Sequence, residues 1–333
     1  MADVLVTGGA GFLGSRLARE LLAAGSVEVD GGGARPLSRL TVLDASPLPD
    51  DLAADERVAF TCGDLGELLD PRGSGRNTLA AADVIFHLAA AVSGECEADF
   101  DLGIRANLRV TESLLASCRA LATNPVVVFS SSLAVFGDSG EHPLPVVVDD
   151  HTLPNPQSSY GVQKVIGEQL LADYTRKGFL RGRAVRLATV SVRPGRPNAA
   201  ASGFLSGIIR EPLAGRRAVC PVGAATEVAL ISPARAIDGL LCAAASAEEA
   251  WGGRSAVTLP ALTVTVADMV AALERAAGPA VSALIDWVPD PAVARLVTSW
   301  PARIRAGRAE RLGLTPDPDF GSIISSYLAE SRG

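Results

Sequence analysis

Tyr160 and Lys164 stand four residues apart in the stretch SSYGVQK, residues 158–164, with no proline between them. On a helix this spacing puts both side chains on one face. The pair then has two readings: one face of an ordinary surface helix, or a phenol whose ionisation is favoured by a neighbouring ammonium. A free tyrosine has a pKa of about 10 and is a poor base at neutral pH, and a cation beside it lowers that value. A second set of residues with chemical potential lies near the N-terminus. Gly8, Gly11 and Gly14 in TGGAGFLG follow a short β-branched run and open a stretch of helical periodicity. A pyrophosphate sits on backbone N–H groups at a helix N-terminus, where the dipole is positive and side chains would obstruct approach. Gly8 would allow the turn, Gly11 the close approach, and Gly14 the packing of helix on sheet; a plain tight turn is the alternative.

An acid at the end of the second strand extends the second reading. Asp44 in TVLDAS can accept hydrogen bonds from both ribose hydroxyls of NAD and would repel the extra phosphate of NADP. Ala45 and Ser46 follow it rather than an arginine, so the cofactor expected is NAD. The gap from the glycines is long, and a polar, glycine-rich loop at 26–39 accounts for it as an insertion. Asp64 in CGDL ends the third strand and could bond the adenine amine or simply cap the strand end.

The elements that would position these residues alternate. Apolar strands are expected at 3–9, 39–46, 57–65, 83–91 and 125–137, and amphipathic helices at 12–25, 104–122 and 158–178, with Gly25 as a C-terminal cap. Near-continuous apolar strands between amphipathic helices indicate a parallel sheet covered on both faces. The expected fold class is therefore α/β, a Rossmann-like doubly wound parallel sheet with a smaller C-terminal substrate lobe. Residues 1–185 would form the NAD-binding domain, rejoined by about 226–250, with 186–225 and 251–333 in the lobe. There a helix is expected within 230–247, and a strand, a cap at Thr265 or Asp268 and a helix within 263–278.

Composition excludes several classes. A net charge of -7 and no Lys/Arg run argue against nucleic acid or an anionic membrane as partner. No apolar run is long enough to span a bilayer. Cys62, Cys96, Cys118, Cys220 and Cys242 are scattered without a CxxC pair, and His87, His142 and His151 do not cluster with them. This reads as a reducing, cytoplasmic location with neither disulfide framework nor metal. The N-terminus has no basic region before its apolar stretch, so no secretory signal is expected.

Together, Gly8, Gly11, Gly14, Asp44, GDL at 63–65, HLAA at 87–90, SSS at 130–132 and the Tyr160–Lys164 pair resemble the extended short-chain dehydrogenase/reductase (NAD-dependent epimerase/dehydratase) family. The resemblance implies catalysis by Ser132, Tyr160 and Lys164. Tyr160 would be the general acid/base, Lys164 the cation that favours phenolate and holds the nicotinamide ribose, and Ser132 the orienter of the substrate hydroxyl. It adds Phe12, Leu13, Leu65, Leu88, Ala89, Ala90, Asn107, Ser130, Thr189 and Val190 to the cofactor contacts. Asn107 lacks the usual Gly-Thr that follows it and could equally be a polar helix-face residue. His87 reads better as a buried, satisfied histidine than as a catalytic one. The family also implies a homodimer packed through the helices at 105–122 and 158–177.

Leu133 and Ala134 stand where dehydratases of this family carry an Asp-Glu pair, which argues against elimination. Nucleotide-sugar enzymes usually carry an Asn-x-Tyr-Gly-Pro segment where this chain has Arg193, Arg196 and Asn198. That stretch, with AAVSGECEADFDLGIRANL and PQSSYGVQK, resembles the D-erythronate dehydrogenase group, although Ala188 replaces a proline and Arg196 a lysine. The resemblance implies oxidation at C2 of a small sugar acid to the 2-oxo acid, with hydride passing to NAD. A carboxylate substrate needs a fork-like cation, so Arg193 is the first candidate and Arg196 the second, each with a surface-charge or helix-cap alternative. Asn198, Ser132 and Ser93, which follows the fourth strand, complete the expected substrate contacts. The competing readings are a nucleotide-sugar epimerase with tightly held NAD and a non-catalytic NAD-sensing protein; the latter tends to lose the tyrosine or lysine.

Overall fold

The computed structural model describes residues 1–73, 75–195 and 200–330. Its main sheet is built from the apolar runs. These are β1 (Ala2–Thr7), β2 (Ser26–Glu28), β3 (Ala34–Asp44), β4 (Val58–Cys62), β5 (Val84–His87) and β6 (Val126–Ser132). After β7 (Val148–Asp149), which lies outside that sheet, comes β8 (Arg181–Leu187); β9 (Thr189–Val190) belongs to a separate sheet. The order is β12-β8-β6-β5-β1-β3-β2, with β12 (Val257–Thr258) at one edge and β4 also paired to β3. Every pair except β2–β3 is parallel. Val84, Ile85, Phe86, Val126, Val127 and Val128 are fully buried, as strands covered on both faces must be. The chain runs outward from β1 to β3 and β4, then crosses back to β5 on the other side of β1. That reversal opens a crevice at the C-terminal ends of β1 and β5, where open α/β sheets bind ligands.

The stretch 26–39, expected to be a loop, is a hairpin. Ser26–Glu28 pairs antiparallel with Ala34–Pro36, and β3 starts five residues before the expected strand. Val27, Val29 and Leu37 are buried on one side. The turn uses positive φ at Asp30, Gly31 and Gly33. Its glycines mask a short alternation whose partner is the main core. Asp30 accepts hydrogen bonds from Arg181 (2.6 Å) and Arg183 (3.0 Å) and so ties the hairpin to β8.

The expected helix at 104–122 has two parts. Ile104–Arg109 is a π-helix and Val110–Leu121 is α-helical. The widened turn holds Asn107, whose carbonyl accepts from the Thr111 hydroxyl at 2.6 Å. Single π turns inside α-helices accompany functional sites.

The second half contributes a three-stranded sheet, β13-β11-β9, from β11 (Glu227–Ile231) and β13 (Leu262–Thr265). A two-stranded sheet pairs β10 (Ala218–Cys220) with β14 (Ile285–Trp287). Helices Gly203–Leu213, Val266–Ala277 and Phe320–Glu330 surround a core of their own that includes Ile208, Ile209, Met269, Leu273 and Ile324. Thr265 and Asp268 form a reciprocal capping box, so both expected caps act together. Helix Pro233–Ala245 packs instead on the main sheet through Ala236, Ile237 and Leu240. Among the described residues, no helix is long and apolar enough to cross a membrane.

Candidate active site

The helix Phe12–Ala24 opens at Gly11 with no side-chain cap and no acid in its first turn, leaving its positive end available to an anion. Gly8 has φ +74°, and a Cβ there would stand 2.6 Å from the Ala89 nitrogen; at Gly14 it would stand 2.1 Å from the Gly8 carbonyl oxygen. At Gly11 it would meet only the Gly8 oxygen, at 3.2 Å, so this face of the loop lies open. Asp44 anchors the loop from the end of β3. One of its carboxylate oxygens accepts from the Ala10 N–H and the other from Ser46 N–H, each at 2.9 Å.

Two stretches of groove run from this loop. The first, about 710 Å³, is lined by Gly8, Gly11, Asp44, Asp64, Leu65, Leu88, Ala89 and Ala90. Asp64, which lines this stretch, also caps the short helix Leu65–Leu68 by accepting from Glu67 N–H at 3.1 Å. The second stretch, about 290 Å³, shares Gly8, Gly11, Leu88 and Ala90 and adds Phe12, Leu13, Gly14, Ser130, Ser132, Tyr160, Lys164, Val190 and Arg193. A dinucleotide fits this donor set: an uncapped helix end, glycines too crowded for side chains, and a carboxylate at the far end. Arg105 and Arg109 on the π turn also border the first stretch, and the sequence reading gave them no part in the cofactor site.

Asn107 lines neither stretch. Its side-chain oxygen accepts from Ala91 N–H at 2.7 Å, and its amide donates to the Ala91 carbonyl at 3.2 Å and to Gln163 at 2.8 Å. It therefore acts on the groove through the 88–92 segment. His87 is buried with both ring nitrogens bonded, to Thr7 at 2.7 Å and Thr111 at 3.0 Å. Burial pushes its pKa down to about 3, so it stays neutral as a core residue.

The Tyr160 helix is fixed by two local devices. Ser158 caps it by accepting from Gly161 N–H at 3.1 Å. Gly161 lets the helix touch the turn after β6, since a Cβ there would stand 2.1 Å from the Ala134 oxygen. This close approach brings the phenol to Ser132, with which it shares a hydrogen bond. Lys164 is buried and donates to the Ser130 carbonyl at 2.8 Å; its nitrogen lies 4.8 Å from the Phe129 ring centre and 5.5 Å from that of Tyr160. Burial lowers the Lys164 pKa to about 8.

Burial pushes the Tyr160 phenol up to about 12, while the Arg193 guanidinium and the Ser132 hydrogen bond pull it back. Arg193 is a second cation beside the phenol, which the sequence did not indicate, in addition to Lys164, whose nitrogen stands 5.5 Å from the ring centre. The Lys164 ammonium, being buried, takes an acceptor of its own in the Ser130 carbonyl.

Behind these residues lies a buried ion pair. Glu168, one turn beyond Lys164, grips Arg186 of β8 at 2.8 and 2.7 Å and accepts from the Ser131 hydroxyl of β6. It joins the helix and two strands directly beneath Ser130 and Ser132.

A further cavity of about 90 Å³ adjoins the groove at Ser132, Tyr160 and Arg193. Ser93 and Thr189 line it, and Ser93 accepts from Ala201 N–H at 3.3 Å. Arg193 is oriented by its own Nε bond to the Val190 carbonyl at 3.3 Å and by backbone bonds to Ser206 and Arg210. Arg196 and Asn198 lie outside the described residues. The cavity also receives Ser202, Glu227 and Trp300, which no motif marked.

A family model, the NAD dependent epimerase/dehydratase family, matches residues 4–232. The D-erythronate dehydrogenase of Cupriavidus necator is 49% identical over 329 residues, covering 99% of this chain and 98% of that protein. The D-erythronate dehydrogenase of Haemophilus influenzae is 39% identical over 327 residues, covering 98% of both. Among solved structures, a nucleoside-diphosphate-sugar epimerase from Agrobacterium tumefaciens superposes with a TM-score of 0.89 at 38% identity, over 100% of this chain and 95% of that one. With the glycine loop, Asp44 and the Tyr160–Lys164 helix in place, these matches identify the chain as a member of the NAD dependent epimerase/dehydratase family.

Proposed function

We propose that this protein is an NAD-dependent dehydrogenase that oxidises C2 of a small sugar acid, such as D-erythronate, to the 2-oxo acid. One observation carries the reading: Tyr160, Ser132 and Arg193 border both the cofactor groove and a cavity of only about 90 Å³. NAD, when bound, supplies the hydride acceptor and a positive ring. The residues that would hold it are Gly8, Gly11 and Gly14 at the pyrophosphate, Asp44 at the adenosine ribose, and Lys164 with the Ser130 strand end near the nicotinamide.

In this reading Ser132 holds the C2 oxygen and Tyr160 takes the proton of the C2 hydroxyl as the C2 hydride leaves. Arg193 pairs with the substrate carboxylate, its guanidinium beside the phenol. The same charge favours the phenolate, so substrate binding and base ionisation are coupled at one residue. Ser93 offers a hydroxyl to the rest of the acid.

The likeness to a nucleotide-sugar epimerase supplies a second reading, in which NAD is held tightly and recycled. The small cavity argues against it, since a nucleoside diphosphate needs an extended site. Exposed Phe100 (61%) and Val162 (43%), beside and on the long helices, support a homodimer packed there. Five free, scattered cysteines support a cytoplasmic location.

The test mixes purified protein with NAD and a panel of four-carbon sugar acids, D-erythronate and L-threonate included, and follows NADH. NADP and UDP-glucose run alongside. Steady NADH with one acid, lost in Tyr160→Phe, supports the dehydrogenase. Epimerisation of the nucleotide sugar without NADH release would replace it with the second reading.

A further inference from the structure

The small cavity has a wall on the side away from the cofactor. Ser132, Tyr160 and Arg193 border cavity and groove alike, whereas Val297, Trp300 and Pro301 border the cavity alone. The reacting carbon must lie between Tyr160 and the groove. A carbon chain continuing away from the cofactor therefore runs toward Trp300. The whole cavity is about 90 Å³. Val297, Trp300 and Pro301 close that end, so an acid longer by two carbons would have to displace them.

The wall is fastened on both sides. Toward the main sheet, Asp138 N–H donates to the Ser299 carbonyl at 3.2 Å and Val148 N–H to the Arg303 carbonyl at 3.0 Å. The next strand, β15 (Ile304–Arg305), pairs in parallel with β7. Toward the lobe, the Thr263 hydroxyl donates to the Ala302 carbonyl at 2.6 Å, and Arg303 grips Glu227 at 3.0 and 2.7 Å. Val297 is buried in the lobe core, and Trp300 packs on that core. These bonds fix the backbone that carries the indole, and the indole itself is held by its packing on the lobe core.

We propose that Trp300, backed by Val297, sets the chain length of the acid this site accepts, with four carbons as the limit. The proposal rests on the sugar-acid reading of the site and adds a specificity-determining residue to it.

The experiment compares wild type, Trp300→Ala and Trp300→Leu on D-erythronate and D-gluconate at saturating NAD, with NAD binding as a control. Wild type should favour the four-carbon acid by about a hundredfold or more in kcat/KM, and Trp300→Ala should narrow that ratio by at least about tenfold. Trp300→Leu keeps an apolar side chain on the lobe core and decides the matter if Trp300→Ala does not fold. A folded variant whose ratio stays near the wild-type value overturns the proposal, as does a wild type equally active on both acids. A wild type that makes no NADH from any four-carbon acid overturns the underlying reading and the proposal with it, so the two failures are distinct.

Discussion

The Lys164 ammonium is bonded to the Ser130 carbonyl at 2.8 Å, while its nitrogen stands 5.5 Å from the centre of the Tyr160 ring. A cation that holds a strand end rather than the phenol is a scaffold of the groove as well as a charge in it. Burial brings its pKa down from 10.5 to about 8, so folding takes up an ammonium that would rather remain in water. Between those two values the unfolded chain binds the proton and the folded chain does not, and stability rises with pH through that window. Below it the cost is fully present. Lys164→Met should therefore melt at or above the wild-type temperature at pH 7, with that advantage shrinking toward pH 10, while NAD binding weakens. A marked fall in melting temperature at pH 7 would mean that the bond to Ser130 outweighs the desolvation of the charge.

Glu168 shows the opposite balance. Its carboxylate and the Arg186 guanidinium are both almost wholly buried and bonded to each other twice. Glu168→Gln leaves the guanidinium without its counter-charge, a change that costs about 3–5 kcal/mol in buried pairs. Urea unfolding should show a loss of that order. A loss under about 1 kcal/mol, the range of an exposed pair, would show that water reaches Arg186.

The glycines, Asp44 and the Tyr160–Lys164 spacing were legible because each is a local pattern: a turn, a strand end, one helical turn. The residues that complete the site are not local. Trp300 belongs to a proline-rich stretch with no period and reaches the cavity only because Ser299 and Arg303 are stitched to distant strands. Glu168, four residues after Lys164, reads in sequence as an ordinary helix charge, and nothing before folding marks it as buried. The Val27–Val29 alternation is too short to register among four glycines and prolines, and it becomes a strand because β3 and the Arg181–Arg183 pair receive it. The acceptor that the buried Lys164 ammonium takes is a backbone carbonyl, and no side-chain motif encodes it.

The pH profile should follow the phenol. With its pKa pushed up to about 12, Tyr160 is protonated at neutral pH and must lose that proton to act as a base. The kcat/KM for oxidation should then climb by about tenfold per pH unit below the phenol's pKa, while reduction, which uses the protonated phenol, falls only on the alkaline side. Ser132→Ala removes a hydrogen bond that lowers the phenol's pKa, so its oxidation profile should move to higher pH. Rates for both directions, measured from pH 6 to about 10 in the range where these groups titrate, check this. An oxidation rate that falls across neutrality would remove Tyr160 from the role of base.

Asp44 governs the choice between NAD and NADP through charge as well as hydrogen bonding. Both of its oxygens already accept from backbone N–H groups, at Ala10 and Ser46, so the carboxylate is fixed in place before any ribose arrives. Asp44→Asn keeps the shape and one acceptor oxygen but removes the charge that repels a 2′-phosphate. Hydrogen bonds to charged groups contribute about 1.5–3 kcal/mol, so the preference for NAD in kcat/KM should fall by about 10- to 100-fold. Most of the loss should appear in the KM for NAD, because ribose contacts are made equally in the ground and transition states. Steady-state kinetics with each nucleotide and one acid decide it. An unchanged NAD/NADP ratio would place the discrimination elsewhere in the groove, with Arg105 and Arg109, which line the same stretch, as the groups to replace next.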